Sequence, residues 1–568
     1  MKTMHPRRAR LALTAILILA AGCGRERRGN GAVEAGATPE DGGVAVVAEG
    51  ADINQPVTAL FNTALDGDLS QDVLNMGLLR GAWKDGELVF ETADENPMAI
   101  ARSYEYVGPD SAALRFHMRS DVKWSDGKPL TARDVVFTYD LVKNPAVASP
   151  RQDYVEQLDS VVAQNDSTVT FYFKRRDPQM LSHASLDPMP EHLFGGTAPA
   201  QLRSHPAILN PGGGRLVVSG PWMIGEWAKG QRVVLVHNPY FSPKPHLSQL
   251  VFRIIGEPTT RIVELRTGNV DMVRGVTTDQ IPALEAAGGI RMEKEQKRAY
   301  DYVSYSPKGF APFADPEIRQ ALTLAIDTKQ LIGSLQLQDY AVPASGPYPP
   351  IFKLYDPSLM PPVRFDPEKA KQILASKGWK DTDGDGVLDK GGKPFHFTLV
   401  TNSGNARRAD AAVILQQQWK RIGVDVELQQ LEFNTMIANL MQQNYQAALG
   451  GWNVGLTPDQ ITGLYGTGSP LNLTGYSNPR VDSLFAQALE QPTEAAARPY
   501  WQRAAAQVAR DHPYSWLYYL DTIDPVRDRL RGTKVDTYGP YQNTWEWWIP
   551  KSRQRGVVPS VAKPDSAQ

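Results

Sequence analysis

Arg115-Phe-His-Met-Arg-Ser-Asp-Val-Lys-Trp-Ser-Asp-Gly-Lys-Pro-Leu-Thr-Ala-Arg-Asp-Val-Val-Phe137 is the stretch whose reading decides the fold. Leu114, Phe116 and Met118 alternate with Arg115, His117 and Arg119, the period-two pattern of a strand with one buried face. Ser125-Asp-Gly127 turns the chain, and Pro129 stands just before a helix start. There Thr131 can cap, and Asp134, three residues on, favours the positive end of the helix dipole. Val135, Val136, Tyr139 and Val142 supply the apolar helical face, so strand, turn and helix are predicted in that order.

Outward from this stretch, 568 residues are enough for several lobes with a substantial core. A hydrophobic content of 42% with 21% charged residues is ordinary for a soluble protein. The formal charge of −2, with signs intermixed and no basic stripe, argues against a nucleic-acid partner.

The amino terminus reads differently. Lys2, Arg7, Arg8 and Arg10 precede an apolar run from Leu11 to Ala21, too short to span a bilayer and suited to a secretory signal. The run ends in Leu19-Ala-Ala-Gly-Cys23, which resembles a bacterial lipobox, although Ala20 stands where leucine is usual. Cys23 is the single cysteine of the chain and becomes the candidate lipidation site; no intramolecular disulfide is available. The competing reading is an ordinary signal in which Cys23 is incidental. Residues 23–43, rich in Gly, Ala and charge, read as a flexible tether reaching on the order of 25 Å.

Further along, Val218-Ser-Gly-Pro-Trp-Met-Ile-Gly-Glu-Trp227, Val233-Val-Leu-Val-His-Asn-Pro-Tyr-Phe241 and Leu250 to Ile255 read as strands. A helix from Arg261 to Leu265 closes at Gly268 before Asp271. A helix is also expected around Ser70 to Leu79, with short strands at Glu87 to Glu91 and Ser103 to Val107. Asp315-Pro-Glu-Ile-Arg-Gln-Ala-Leu-Thr-Leu-Ala-Ile-Asp327 and Asp366-Pro-Glu-Lys-Ala-Lys-Gln-Ile-Leu374 carry helical spacing, the second with Pro at its start. Strands and helices then alternate from Phe395 to Gln442, implying parallel strands.

Taken together, these blocks resemble the peptide/nickel-type solute-binding proteins of ABC importers, family 5, over roughly Val44 to Pro550. The resemblance implies an α/β fold of the periplasmic-binding-protein type II kind. Its two lobes join at a hinge, in the large cluster-C variety with an extra α+β subdomain. It implies 44–72, 206–300 and 525–550 as the lobe I core, 73–205 as the extra subdomain and 301–524 as lobe II. Residues 1–22 are expected as signal peptide and 551–568 as a disordered tail.

In peptide-binding members of that family, a strand ending Gly-Trp leads into a loop lining the cleft. A carboxylate about three residues after the Trp receives the ligand's ammonium. Here Leu449-Gly-Gly-Trp-Asn-Val-Gly-Leu-Thr-Pro-Asp459 places Gly455 at that position, with Asp459 the nearest acid. Trp452 is expected as cleft wall, against plain core, and Asn453 as its hydrogen-bonding neighbour. Asn62, Arg80, Asn402 and Tyr476 are further candidates, because corresponding loops and helix flanks face the cleft in the family. For each, the competing role is a turn-forming or solvated side chain.

Catalytic patterns are sparse. Ser120-Asp-Val-Lys123 matches Ser-x-x-Lys, but Ser-Asp-Asn and Lys-Thr-Gly partners are missing from the sequence. No zinc-protease His pair, Gly-x-Ser-x-Gly elbow or Walker loop occurs. Asp381-Thr-Asp-Gly-Asp-Gly-Val-Leu-Asp389 has calcium-loop spacing, yet Gly392 stands where a bidentate Glu is needed. Asp381, Asp383, Asp385 and Asp389 are therefore expected as a structural turn, with a weak cation site as the alternative.

The resemblance implies a monomeric, lipid-anchored, extracytoplasmic receptor that is no enzyme and needs no cofactor. It would sit in the periplasm of a cell with two membranes, or on the surface of one with a single membrane. It would capture a small solute, an oligopeptide among the candidates, and deliver it to a membrane permease. The alternatives are a sensor or peptide chaperone on the same fold, and a surface hydrolase.

Overall fold

Val44–Glu49 is a strand in which every residue is buried, the continuous apolar run expected where both faces of a sheet are covered. The computed structural model describes residues 38–557 other than 62 and 109. The expected signal peptide, Cys23 and most of the tether lie outside the described residues, as does Asn62.

Val44–Glu49 pairs in parallel with Gln249–Ile254 on one side and Met272–Val273 on the other. They belong to an eleven-stranded sheet whose far half carries the parallel strands Asp425–Leu431, His396–Asn402 and Ala447–Asn453. The halves are joined by two long strands, Ile290–Tyr305 and Tyr514–Arg527. In the first half Ile290 to Glu295 lie opposite Arg527 to Thr522; in the second Ala299 to Ser304 lie opposite Leu520 to Tyr514. The register slips between Glu295 and Ala299, the kind of irregularity that adds twist and bends a strand pair. Apolar cores lie to either side. Trp124, Trp222 and Trp547 belong to one core, whereas Phe397, Trp419 and Tyr305 belong to another. This is a two-lobe α/β fold with a pair of strands as its hinge.

Lobe I carries an extra α+β layer. Its antiparallel sheet runs Ala101–Val107, Ala113–Met118, Thr168–Phe173, Leu158–Asn165. The stretch from Arg115 to Phe137 forms the predicted strand, turn and helix. Gly127 sits at φ +88°, and Trp124, fully buried, donates to the Lys128 carbonyl at 2.8 Å across the turn. The helix Ala132–Lys143 is closed by the Asp134 carboxylate, which accepts the Thr131 amide at 2.8 Å. The same carboxylate accepts the Glu191 amide at 2.9 Å and faces the Trp124 indole at 3.4 Å. One buried side chain thus ties turn, helix and the 190s segment together. Asp134→Ala is expected to destabilise the protein by about 2–3 kcal/mol, a lost cap plus stranded donors, as read by urea unfolding.

Two segments differ from expectation. The helix expected at Ser70 to Leu79 begins earlier, as an α turn Ala64–Asp68 running into a wider π turn Leu69–Leu74. Thr63 caps it by accepting the Asp66 amide at 3.1 Å, and Asn75 is already extended. Beyond Pro550 the chain is not a disordered tail as far as residue 557. Lys551–Arg553 make a helical turn, and Arg555 donates to the Gly268 carbonyl.

Candidate functional site: a cavity between the lobes

The α-to-π turn spaces Asp68 and Asp72 four residues apart, so both carboxylates face the second lobe. Asp72 pairs with Arg80, whose other guanidinium nitrogen donates to the Gln71 carbonyl at 2.6 Å. Asp68 pairs with Arg274 at 2.5 Å. Arg80 opens the hairpin Arg80–Lys84 and Glu87–Glu91, turned by Asp85 and Gly86 with both φ positive, the geometry favoured in two-residue hairpins.

The tip of this hairpin reaches lobe II. The Lys353 amide donates to the Gly86 carbonyl at 2.9 Å, and Trp83 packs edge-on against Phe352 at 4.8 Å. Glu87 accepts both the Lys353 ammonium, at 2.8 Å, and the Arg498 guanidinium. Arg175 and Arg176 reach the Leu489 and Pro492 carbonyls at 3.0 and 3.1 Å. The lobes are therefore closed against each other.

Behind that contact lie two adjoining cavities. The larger, about 340 Å³, is walled by Trp83, Phe90 and Leu181 from lobe I and by Leu354, Pro458 and Glu494 from lobe II. The smaller, about 270 Å³, is walled by Asp72, Arg80, Tyr154, Asp187 and Tyr538, with Leu456 and Thr457 facing them. Leu88, Phe90, Ser182, Leu456 and Thr457 touch both. Apolar walls with a few placed polar groups, at a lobe junction, are the usual make-up of a small-solute site.

The sequence-expected residues are distributed unevenly around this space. Arg80 is on the cavity wall. Trp452 stands at the root of the loop instead, half-buried, stacked on Tyr302 and donating to the Tyr514 hydroxyl at 3.4 Å. The loop it starts supplies the wall through Leu456, Thr457 and Pro458. Asn453 is exposed, and its carbonyl accepts from Gln460 at 3.4 Å. Asn402 accepts from Arg408 at 3.0 Å, in a cluster where Arg407 and Arg408 clamp the buried Asp301. Burial works against that charge, but the two arginines hold the Asp301 carboxyl at about 2. Tyr476 donates to Asp511 at 2.6 Å and lines a separate depression with Arg319.

In the acidic turn, Asp381 accepts the Gly384 and Gly386 amides at 2.7 and 3.1 Å, and Asp389 accepts the Thr382 amide at 2.9 Å. Asp381, Asp383 and Asp385 approach within 4.8 Å of one another but are exposed, and their hydrogen bonds are those of a turn.

Sequence reading passed over Asp187 and Glu494. Asp187 lies in Leu186-Asp-Pro-Met-Pro190, where nothing local marks a carboxylate as buried. The Glu494 carboxyl is pushed up to about 8 by burial, with Asp459, Glu87 and Asp177 adding repulsion and Arg498 opposing. A carboxyl whose folded pKa is raised keeps its proton longer when folded than when unfolded. Stability is thus greatest below pH 4.5 and declines as pH rises towards about 8. Glu494→Gln removes that penalty. Its melting temperature is expected to match the parent at pH 5 and to exceed it at pH 8, by the equivalent of about 1–3 kcal/mol.

The chain resembles known proteins along most of its length. Residues 97–474 match the model of the bacterial extracellular solute-binding proteins, family 5 Middle. The oligopeptide-binding protein AppA of Bacillus subtilis is 29% identical over 562 residues, spanning 96% of this chain and 100% of its own. The oligopeptide-binding protein OppA of Lactococcus lactis subsp. cremoris is 26% identical across 77% of this chain and 79% of its own. Among solved structures, AppA of Bacillus subtilis in complex with a nonapeptide superposes with a TM-score of 0.74 at 27% identity, covering 90% of this chain and all of that one. NikZ from Campylobacter jejuni in complex with Ni(L-His) shares the fold, with a TM-score of 0.74 at 23% identity, covering 89% of this chain and 99% of that one. With a two-lobed fold, a cavity at the lobe junction and a family match over two-thirds of its length, the chain belongs to family 5 of the bacterial extracellular solute-binding proteins.

Proposed function

We propose that this protein captures a peptide or other small solute in the interlobe cavity and presents the closed form to the permease of an ABC importer. The observation that carries this reading is a cavity walled by both lobes behind a closed contact, in a chain whose relatives are named as oligopeptide-binding proteins. A solute touching Leu88 and Phe90 on one side and Leu456 and Pro458 on the other favours closure in proportion to those two-sided contacts. Nothing in this role requires a bond to be made or broken, and we read the protein as a receptor rather than an enzyme. Among the described residues no helix is long and apolar enough to cross a membrane. Attachment through a lipidated Cys23, with the receptor acting as a monomer, fits the sequence of the amino terminus.

The test is native mass spectrometry of the purified mature protein for a co-purified small molecule, followed by thermal shift with peptide mixtures. A ligand at a hundred times its dissociation constant stabilises by about 2.7 kcal/mol. Absence of any bound molecule together with an unmoved melting temperature defeats the reading, as does turnover of the peptides. Uptake that persists after deletion of the protein points instead to the sensor or chaperone alternative.

A further inference from the structure

Asp187 is 2% exposed, forms part of the cavity wall, and its Oδ2 has no hydrogen-bond partner among the described residues. The nearest cation, Arg80, is already engaged by Asp72 and the Gln71 carbonyl. Burial pushes the Asp187 carboxyl well above the usual range, with Arg80 only partly opposing. Leaving a buried acceptor unpaired is costly, so the group either keeps a proton or awaits a donor.

The same imbalance continues along the cavity. Glu87 and Glu494 face Arg498 on the larger wall, and Glu87 already takes both Arg498 and Lys353. Just behind the wall, Asp177 is 5% exposed, and its Oδ2 and the Asp459 Oδ1 have no hydrogen-bond partner among the described residues. Asp177 and Asp187 come from lobe I, while Asp459 and Glu494 come from lobe II. Closing the lobes brings these carboxyl groups into one another's field, with Arg80, Arg175 and Arg498 only partly opposing the burial that raises them.

Building on the reading of this cavity as the solute site, we propose that the solute is cationic, carrying an ammonium or guanidinium seated at Asp187 within the acidic wall that both lobes build. An acidic solute meets repulsion there, and a neutral one leaves Asp187 stranded. A cation lowers the cost of closure because carboxylates of both lobes attract it. The Asp187 carboxyl is shaped by burial first and then by Arg80 and Asp72. Glu494 is shaped by Asp459, Glu87, Asp177 and Arg498. Burial moves both carboxyls towards the protonated form, the Glu494 carboxyl up to about 8, and an arriving cation favours the charged form, so capture is accompanied by proton release.

The experiment is isothermal titration of the mature full-length protein at pH 7 in two buffers of different ionisation enthalpy. The probes are amino-terminally acetylated trialanine, its equally acetylated central-lysine and central-glutamate analogues, and spermidine. The lysine peptide is expected to bind about tenfold tighter than trialanine, with proton release, and the glutamate peptide more weakly than either. In Asp187→Asn, which keeps the side-chain shape, the preference should shrink to within about threefold, and Glu494→Gln should abolish part of the proton release. Equal binding of the lysine and alanine peptides, tighter binding of the glutamate peptide, or an undiminished preference in both variants overturns the proposal. Peptide binding without regard to charge overturns the cationic preference and leaves the peptide reading standing. Spermidine binding with no peptide bound does the reverse, and no binding by any probe removes both.

Discussion

Replacing Gly86 with valine is expected to weaken solute binding by roughly 30- to 1,000-fold while leaving each lobe folded. Gly86 sits at φ +80°, a region that a β-branched residue enters only under strain. A Cβ there meets the Lys353 nitrogen at 2.7 Å and the Ile351 carbonyl oxygen at 2.9 Å, both backbone atoms of the opposite lobe. Neither can swing aside as a flexible side chain would. The collision penalises the closed form by about 2–4 kcal/mol, and apparent affinity falls by the same factor as the closed population. The open form escapes the collision because the hairpin tip is then solvated. Small-angle scattering of the variant with excess ligand should therefore keep the larger radius of the open protein. A Kd within twofold of the parent would show that hairpin docking is not part of capture.

That hairpin illustrates what the sequence discloses and what it hides. Asp85-Gly86 is a strong two-residue turn signal, and Glu87 to Glu91 reads as a strand, yet its partner Arg80–Lys84 was hidden. Helix starts were the most legible elements. Asp315, Asp366 and Asn478 each accept an amide of the turn they precede, and Gly268 ends its helix in the left-handed conformation. The parallel pairing of His396–Asn402 with Asp425–Leu431 follows from the alternation of strand and helix. By contrast, the hinge strand Ile290–Tyr305 contains Glu293-Lys-Glu-Gln-Lys-Arg298, which has no apolar alternation. It is a strand because the lobe connection pairs it with Tyr514–Arg527, a tertiary cause that leaves no local period.

The site was less legible than the fold for the same reason. Its walls come from the 68–90, 178–187, 352–354, 456–458 and 493–498 segments and from Tyr154 and Tyr538, so no spacing within one segment marks the cavity. The resemblance led to Arg80 and to the loop after Trp452. The burial that leaves Asp187 Oδ2 without a hydrogen-bond partner among the described residues exists only once hairpin, π turn and lobe II are assembled around it.

Assembly of lobe I also depends on a buried charged clasp, and Arg529→Met is expected to destabilise the protein by about 3–5 kcal/mol. Arg529 donates to both carboxylate oxygens of Asp271 at 2.6 Å, with the two residues 7% and 0% exposed. Its remaining donors reach the Val44 carbonyl at 3.0 Å and the Arg553 carbonyl at 3.1 Å, and Asp271 also accepts the Val46 amide at 2.9 Å. Segments as distant as 44–46, 271, 529 and 553 are thereby fixed at one point beneath the first strand. Methionine keeps most of the buried stem but strands a fully buried carboxylate and two carbonyls, so the loss exceeds that of a surface pair. Pairing it with Asp271→Leu removes the stranded charge and should recover more than half of the loss, because an apolar pair avoids the desolvation cost. Urea unfolding followed through tryptophan fluorescence reports on both lobes, whose cores hold Trp222, Trp545 and Trp547 in one and Trp379 and Trp419 in the other. A single-variant loss below about 1 kcal/mol would mean that apolar packing alone returns the chain to the first lobe.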